Sequence, residues 1–549
     1  MRSLCDIFAE QILGQGIRRM ISTLKQNFQI LLFSSFIIFI FSLSFILIPY
    51  SDSYYYLDWS KHLAWGYYDG PPFIAYCMRL FRFIFGDNIV AINLIGVTTI
   101  IIIAYYIYQT ATILFNKTIA KNAVLLWMLS TPVFHYLFLW VTYDNLLCLF
   151  WSAAIYHVIR YIKNQNHIDL YIISIFLACM LLAKYTGFIL ITAIFIFIVS
   201  TPFRYLFREK HFYFAIGLLF ILISPHLYWN YQHHWQTFIY LFARHVHDHS
   251  GGIIYFLIKI LKTLDVLLIL PIYGWLRCKI EKSSCHASVL SEVSTQVKEL
   301  VVPRLVRGIQ KARNIALDPA DKPRDDGCVE TSVKACWHDM NPTDTSILLL
   351  HIINITFLFF LFLMSFKNSI SKHWLTPFTM SSAILASYYF EKFALKKLFF
   401  ITLLLYTIWG FYYLTVNSIF QRYFDEDFFR YRLIEKAKKT YHDKNIVTSD
   451  WETAAKLSFW LGKNRVISTL PCGNENQYAE WKKPLRTKEI LYIDFNNRIT
   501  CIKKFFDYCE ANTTLKKSST HIGYLKTEPP ITLFIYRCGN SHNPPPIKI

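Results

Sequence analysis

Along most of the chain, apolar residues come in long runs, each close to the ~20 residues with which an α-helix crosses ~30 Å of hydrocarbon. The first runs from about Phe28 to Ile48, followed by Val90 to Tyr108, Ala123 to Trp140, Leu146 to Tyr161, Ile168 to Ala183 and Gly187 to Ser200. Others cover Phe212 to Trp229, Ile253 to Ile272, Ile347 to Leu363, Trp374 to Tyr389 and Leu398 to Thr415. The pattern predicts a polytopic α-helical membrane protein of about eleven spans. Pro132 interrupts the third run, which a bundle tolerates when neighbours satisfy the freed carbonyl. From residue 417 the pattern changes to short strand-like runs, NIVTSD, RVIST, EILYIDF and ITLFIYRC, separated by charged stretches, and this predicts a small α/β domain over 417–549.

The polar breaks give the topology. Residues 1–27 form an arm with Arg2, Arg18, Arg19 and Lys25, which the positive-inside tendency places in the cytoplasm. The first run starts too late and is too long for a signal core, so it reads as an uncleaved span. Threading onward puts the clusters Lys117/Lys121, Arg160/Lys163, Arg204/Arg208/Lys210, Arg277/Lys279 and Lys392/Lys396/Lys397 on the cytoplasmic side. The membrane bundle thus divides into 28–277 and 346–416 around a polar cytoplasmic insertion, 278–345, that lacks an apolar period. An odd number of spans leaves the α/β domain outside, where Cys472, Cys501, Cys509 and Cys538 allow three disulfide pairings.

Composition excludes an ordinary soluble enzyme: of 549 residues, 54% are hydrophobic, 18% aromatic and only 17% charged. The formal charge of +20 is scattered in short clusters rather than gathered on one face, which argues against a nucleic-acid partner.

Candidate chemistry converges on the outer side. The loop 50–88 opens with YSDSYYYLDWSKHLAWGYYDGPPFIAY, setting Asp52, Asp58 and Asp69 among aromatic rings before a Gly-Pro-Pro bend. A carboxylate held there can do proton or cation chemistry, although an interfacial aromatic belt would have the same composition. Asp144, in TYDN at the start of the fourth run, is a helix cap or a charge that needs water, a cation or a substrate. Lys184, in AKYTGF, either snorkels or meets phosphate as a point charge. In the segment from Pro225 to Gly252, Asn230 and Arg244 lie among histidines and aromatics, and the planar fork of Arg244 suits phosphate. His373 threads to the same side, and Tyr478 and Trp481 of NQYAEW are candidate acceptor contacts or core residues of the α/β domain.

These pieces resemble, in order, bacterial glycosyltransferase family 39, the protein mannosyltransferase and lipid A aminoarabinose transferase group. DSYYYLDWSKHLAWGYYDGPPFIAY resembles the family's first exterior loop, and TYDNLLCLFW, LLAKYTGF, WNYQHHW with its following arginine, KHWLTPF and ENQYAEW resemble later pieces. The resemblance implies a GT-C fold in a bacterial inner membrane, with a cavity that takes a sugar from a polyprenyl-phosphate donor and passes it to a lipid or protein acceptor. It puts Asp52 at the catalytic acidic position. Ser53 stands where the family pattern has Glu, which leaves a metal role unknown: a divalent cation is open, and no redox cofactor is expected. On the residues alone, a transporter or lipid flippase and a non-catalytic membrane scaffold are the rival readings.

Overall fold

The computed structural model describes residues 33–45, 49–130, 141–244, 266–278, 341–366 and 372–423, the single residues 133, 137, 257, 500 and 503, and, in the C-terminal part, 446–448, 451–461, 467–469, 489–494, 508–517, 521–522, 525–526 and 531–539. The insertion between 279 and 340 lies outside these residues, as do Pro132, Cys472, Cys501, Tyr478 and Trp481.

Every predicted apolar run contributes helix. In chain order the membrane part comprises α1 (Phe33–Leu43), α2 (Ser51–Trp59), α3 (Phe73–Phe85), α4 (Ile89–Leu114), α5 (Lys117–Met128), α6 (Tyr143–Asn164), α7 (His167–Ala183), α8 (Phe188–Ser200), α9 (Lys210–Gln232) and α10 (Gln236–Arg244). After these come α11 (Val266–Cys278), α12 (Pro342–Ser365), α13 (Thr376–Lys392) and α14 (Lys396–Tyr423). Among the described residues four helices, α4, α6, α9 and α12, are long and apolar enough by themselves to cross a membrane. A fifth span arises if the pair 185–200 and 202–208, bent by 103°, is counted as one.

Asparagines punctuate the bundle. Asn88, Asn116 and Asn166 each precede a helix and accept a hydrogen bond from a backbone N–H of its first turn, which satisfies donors the helix cannot pair internally. At α6, Thr142 and Asn145 cap each other reciprocally.

Helix α6 is the axis of the bundle. It packs against α4, α7, α12 and α13, and 83% of its most apolar stretch is buried, against 11% for α9 at the rim. The rim helices turn Phe220, Ile221, Phe359 and Leu404 outward, as lipid-facing surfaces require.

The C-terminal part is α/β. Helix α15 (Trp451–Leu461) accompanies strands β1 (Ile446–Thr448), β2 (Ile467–Thr469), β3 (Glu489–Asp494), β4 (Tyr508–Lys517) and β7 (Ile531–Gly539), which form one sheet in the order β2-β1-β3-β7-β4. The strands β1, β2 and β3 pair in parallel, and β7 runs antiparallel between β3 and β4. A separate two-stranded ribbon joins β5 (His521–Ile522) and β6 (Leu525–Lys526). Of the three possible cysteine pairings, the structure contains the bridge Cys509–Cys538, whose residues face each other in the β4–β7 ladder.

Candidate active site

The loop between the first two apolar runs is helical at both ends. Its α2 is buried along almost its whole length, with Asp52 in the first turn half-buried. The hydroxyl of Ser53 points away into the bundle and donates to the Val141 carbonyl at 2.7 Å, so the position that carries Glu in the family pattern is here a helix-packing position. Beyond α2 the chain doubles back through a short bridge between Tyr67 and Gly70, and the rings of Trp59 and Tyr67 stack at 4.1 Å. That bend holds Asp69 beside α2, where the Tyr55 hydroxyl donates to its carboxylate at 3.2 Å.

Tyr56 marks the centre of the cluster. Its hydroxyl is pushed well above the ordinary 10.0, first by burial and then by nearby Tyr143, Asp52 and Asp69. Its hydrogen-bond partner is the Tyr143 side chain. Its ring lies 5.4 Å from that of Tyr143.

Tyr143 leads to the second half of the site. The capping box at Thr142 fixes the first turn of α6 and sets Asp144 on its inner side, where the helix dipole favours a negative charge. Lys184, the residue at which α7 ends, reaches across to Asp144 at 2.6 Å and stands 4.7 Å from the centre of the Tyr143 ring. Both side chains are nearly buried. Asp144 is thus both a helix-start residue and the counter-ion of Lys184, and Lys184 does not snorkel.

Next to Lys184, Tyr185 donates to His226 Nε2 at 2.5 Å, and His226 Nδ1 donates to the Trp65 carbonyl at 2.7 Å. Asn230, fully buried, places its amide nitrogen 3.2 Å from His226 Nε2 and 3.1 Å from the His226 carbonyl. Thr237 donates to the Tyr67 carbonyl at 2.7 Å. A Cβ on Gly66 would lie 2.3 Å from the Trp229 ring, so only glycine lets the loop backbone approach α9 this closely. The WNYQHHW segment consequently works as a seat for the loop, with Asn230 inside it. Arg244 ends α10, and its side chain lies outside the described atoms. His373 is half-buried in the turn before α13, three residues from Thr376, which contacts Cys148 one turn beyond Asp144.

The ends of α6 and α7 away from the loop carry charge of another kind. There Asp169 accepts from His157 at 2.7 Å and lies 3.4 Å from Arg160, tying the hairpin together. Lys163 donates to the Ile113 carbonyl at 2.8 Å, at the end of α4. No group of three or more His, Cys, Asp or Glu side chains that could hold a metal ion occurs among the described residues.

Helix α15 covers the loop. Glu452 accepts from Ser51 at 2.6 Å and from Lys456 at 2.8 Å, Ser458 donates to Asp58 at 2.8 Å, and Lys61 pairs with Asp58. Trp451 lies against Tyr55 with ring centres 4.8 Å apart, and Phe459 lies against Tyr54 at 5.0 Å. Sequence reasoning did not single out these partners: 401 residues separate Ser51 from Glu452, and nothing local in either segment announces the other.

The architecture is a helical membrane bundle with a carboxylate-bearing loop under a C-terminal α/β part. A family model described as dolichyl-phosphate-mannose-protein mannosyltransferase matches residues 69–229, which run from Asp69 through α9. The fold is that of ArnT from Cupriavidus metallidurans, both bound to undecaprenyl phosphate and in the apo state. Each comparison has a TM-score of 0.59 at 11% identity and covers 92% of this chain, with 98% and 97% of the other chain. A looser likeness, with a TM-score of 0.41 at 11% identity, covers 85% of this chain and 70% of the archaeal oligosaccharyltransferase AglB from Archaeoglobus fulgidus. Among curated proteins none matches by sequence.

Proposed function

We propose that this protein moves a glycosyl group from a polyprenyl-phosphate donor to a lipid A, polysaccharide or protein acceptor at the extracytoplasmic face of a bacterial inner membrane. The observation that carries the reading is the convergence at one end of the bundle: α2, with Asp52, and the bend that holds Asp69 meet Tyr143 through Tyr56, and beside Tyr143 stands the Asp144–Lys184 pair. ArnT of the same fold binds undecaprenyl phosphate, which supports a lipid-phosphate carrier here. The Cys509–Cys538 bridge supports an oxidising compartment for the C-terminal domain.

In this reading an acceptor hydroxyl attacks the anomeric carbon, its proton passes to Asp52, and the bond from that carbon to the phosphate oxygen breaks with its electron pair leaving on the lipid phosphate. Lys184, together with Arg244 and His373, offsets the charge that builds on the leaving phosphate, while Asp69 and Tyr56 orient the acceptor. Lys184 enters this step as half of an ion pair, so Asp144 holds it in place until phosphate competes for it. A divalent cation at Asp52 would instead orient an acceptor phosphate. Asn230 serves by seating the loop. Tyr478 and Trp481 are proposed acceptor contacts.

The experiment is a mass-spectrometric comparison of lipid A, surface polysaccharide and exported proteins from cells with the protein, without it, and with Asp52→Asn. Loss of one sugar in both altered strains is expected, since general-base assistance is worth ~10²–10⁴-fold. Near-normal transfer by a correctly inserted Asp52→Asn protein would remove Asp52 from the role.

A further inference from the structure

We propose that α15 positions the loop carboxylates, acting through the contact of Trp451 with Tyr55 and the hydrogen bond from Tyr55 to Asp69, so that two distant segments form one working unit. The inference deepens the proposed transferase reading and rests on it for its catalytic consequence.

The loop needs an outside support. Its α2 is only nine residues long and has no side-chain cap at its start, so by itself it is too short to hold a fixed conformation. The bundle supports one side through Ser53, the contact of Tyr56 with Tyr143 and the seat on α9. The other side is closed by α15 with a polar latch at each end of α2, Ser51–Glu452–Lys456 at its start and Asp58–Lys61–Ser458 at its finish.

Between the latches stand Tyr54 and Tyr55, packed on Phe459 and Trp451. Of these, Tyr55 has a second task. Its ring is held between Trp451 and Trp59, and its hydroxyl is aimed at Asp69. Moving Trp451 therefore frees the Tyr55 ring to turn, and a turned ring withdraws the donor from Asp69. The displacement of a carboxylate by ~1 Å is enough to cost ~10²-fold in an oriented reaction. Asp52 sits on the same helix, between Ser51, which Glu452 holds, and Tyr55. Trp451, Glu452 and Tyr55 are accordingly positioning residues, and none of them is assigned contact with a sugar.

Four variants test this in the full-length protein in lipid nanodiscs: Tyr55→Phe, which removes only the hydroxyl, Trp451→Ala, which removes the ring support, Trp451→Phe, which restores a ring, and the double variant that joins Tyr55→Phe to Trp451→Ala. Amide hydrogen exchange at Tyr67 and Gly70 reports the bend that carries Asp69, binding of undecaprenyl phosphate reports the donor side, and glycan mass spectrometry of complemented cells reports transfer. Tyr55→Phe and Trp451→Ala should each lower transfer about tenfold. They should leave undecaprenyl phosphate affinity within about twofold and speed exchange at the bend, and Trp451→Phe should recover most of the loss. The double variant should lose little more than either single one, because both break the same connection. Normal exchange at Tyr67 and Gly70 in Trp451→Ala overturns the proposal, as does a loss of transfer matched by lost protection throughout the bundle. Faster exchange at the bend without any glycan difference between wild-type and null cells would instead sustain the positioning role and defeat the transferase reading.

Discussion

At the scale of single residues, burial turns ordinary side chains into committed pairs. Asp144 and Lys184 have side chains 3% and 13% exposed, and each is the other's counter-ion at 2.6 Å. Taking away one member leaves a charge that the surroundings cannot solvate, a loss of about 3–5 kcal/mol for a buried pair. Asp144→Asn and Lys184→Met should each lower the thermal midpoint in detergent, while the double variant should regain a large part of it. Transfer should stay low in all three if Lys184 meets the leaving phosphate. Recovery of transfer together with stability in the double variant would show the pair to be structural only.

At the scale of elements, α3 is the helix that hydropathy alone misplaces. It lies within what the apolar pattern marks as a polar outer loop, and it is a two-faced helix of 13 residues. Ile74, Ala75 and Met78 are buried, whereas Leu80, Phe83, Ile84 and Phe85 are exposed, with Phe83 at 87%. Arg82 pairs with Asp87 and donates to Ser60 at 2.9 Å, which pins the polar side. An apolar surface of this kind at the edge of a bundle suits the headgroup–acyl boundary, with the helix lying in the membrane plane. Phe83→Trp should therefore place an indole where lipids brominated near the headgroup quench it more than lipids brominated at the chain ends. Quenching by neither would put the residue in water and remove the interfacial role. Sequence reading found the apolar helices because their period and length are local properties. It missed β4, whose YCEANTTLKK alternates weakly and becomes a strand by pairing along β7, with Cys509 opposite Cys538.

At the scale of the whole molecule, the functional reading depends on which side each end of α6 and α7 faces. One end carries the Asp144–Lys184 pair beside the loop, the other the Asp169–His157–Arg160 tie, and the helical rise between Asp144 and Arg160 sets them about 24 Å apart. A reporter active only outside the cytoplasm should work when fused after Ile549 and stay silent when placed within residues 279–340. The reverse result would place the loop and the α/β domain in the cytoplasm, where a lipid-linked donor at the outer face cannot reach them.

What the sequence determined by itself was whatever a short window of residues dictates. Among the described residues each apolar run contributes helix, the asparagines and Thr142 mark helix starts, and strands form within NIVTSD, RVIST, EILYIDF and ITLFIYRC, where β-branched and aromatic residues cluster. The candidate residues Asp52, Asp69, Asp144, Lys184 and Asn230 were legible because charged or amide groups beside apolar spans are costly and therefore stand out. Only the tertiary structure decided what those residues do to one another. It gave Lys184 to Asp144, turned Ser53 inward to Val141, made Asn230 part of the loop's seat, and brought Trp451 and Glu452 onto α2. A partner across 40 or 401 residues is chosen by the packing of whole elements, in which many small contacts act together, and no window of sequence contains that sum.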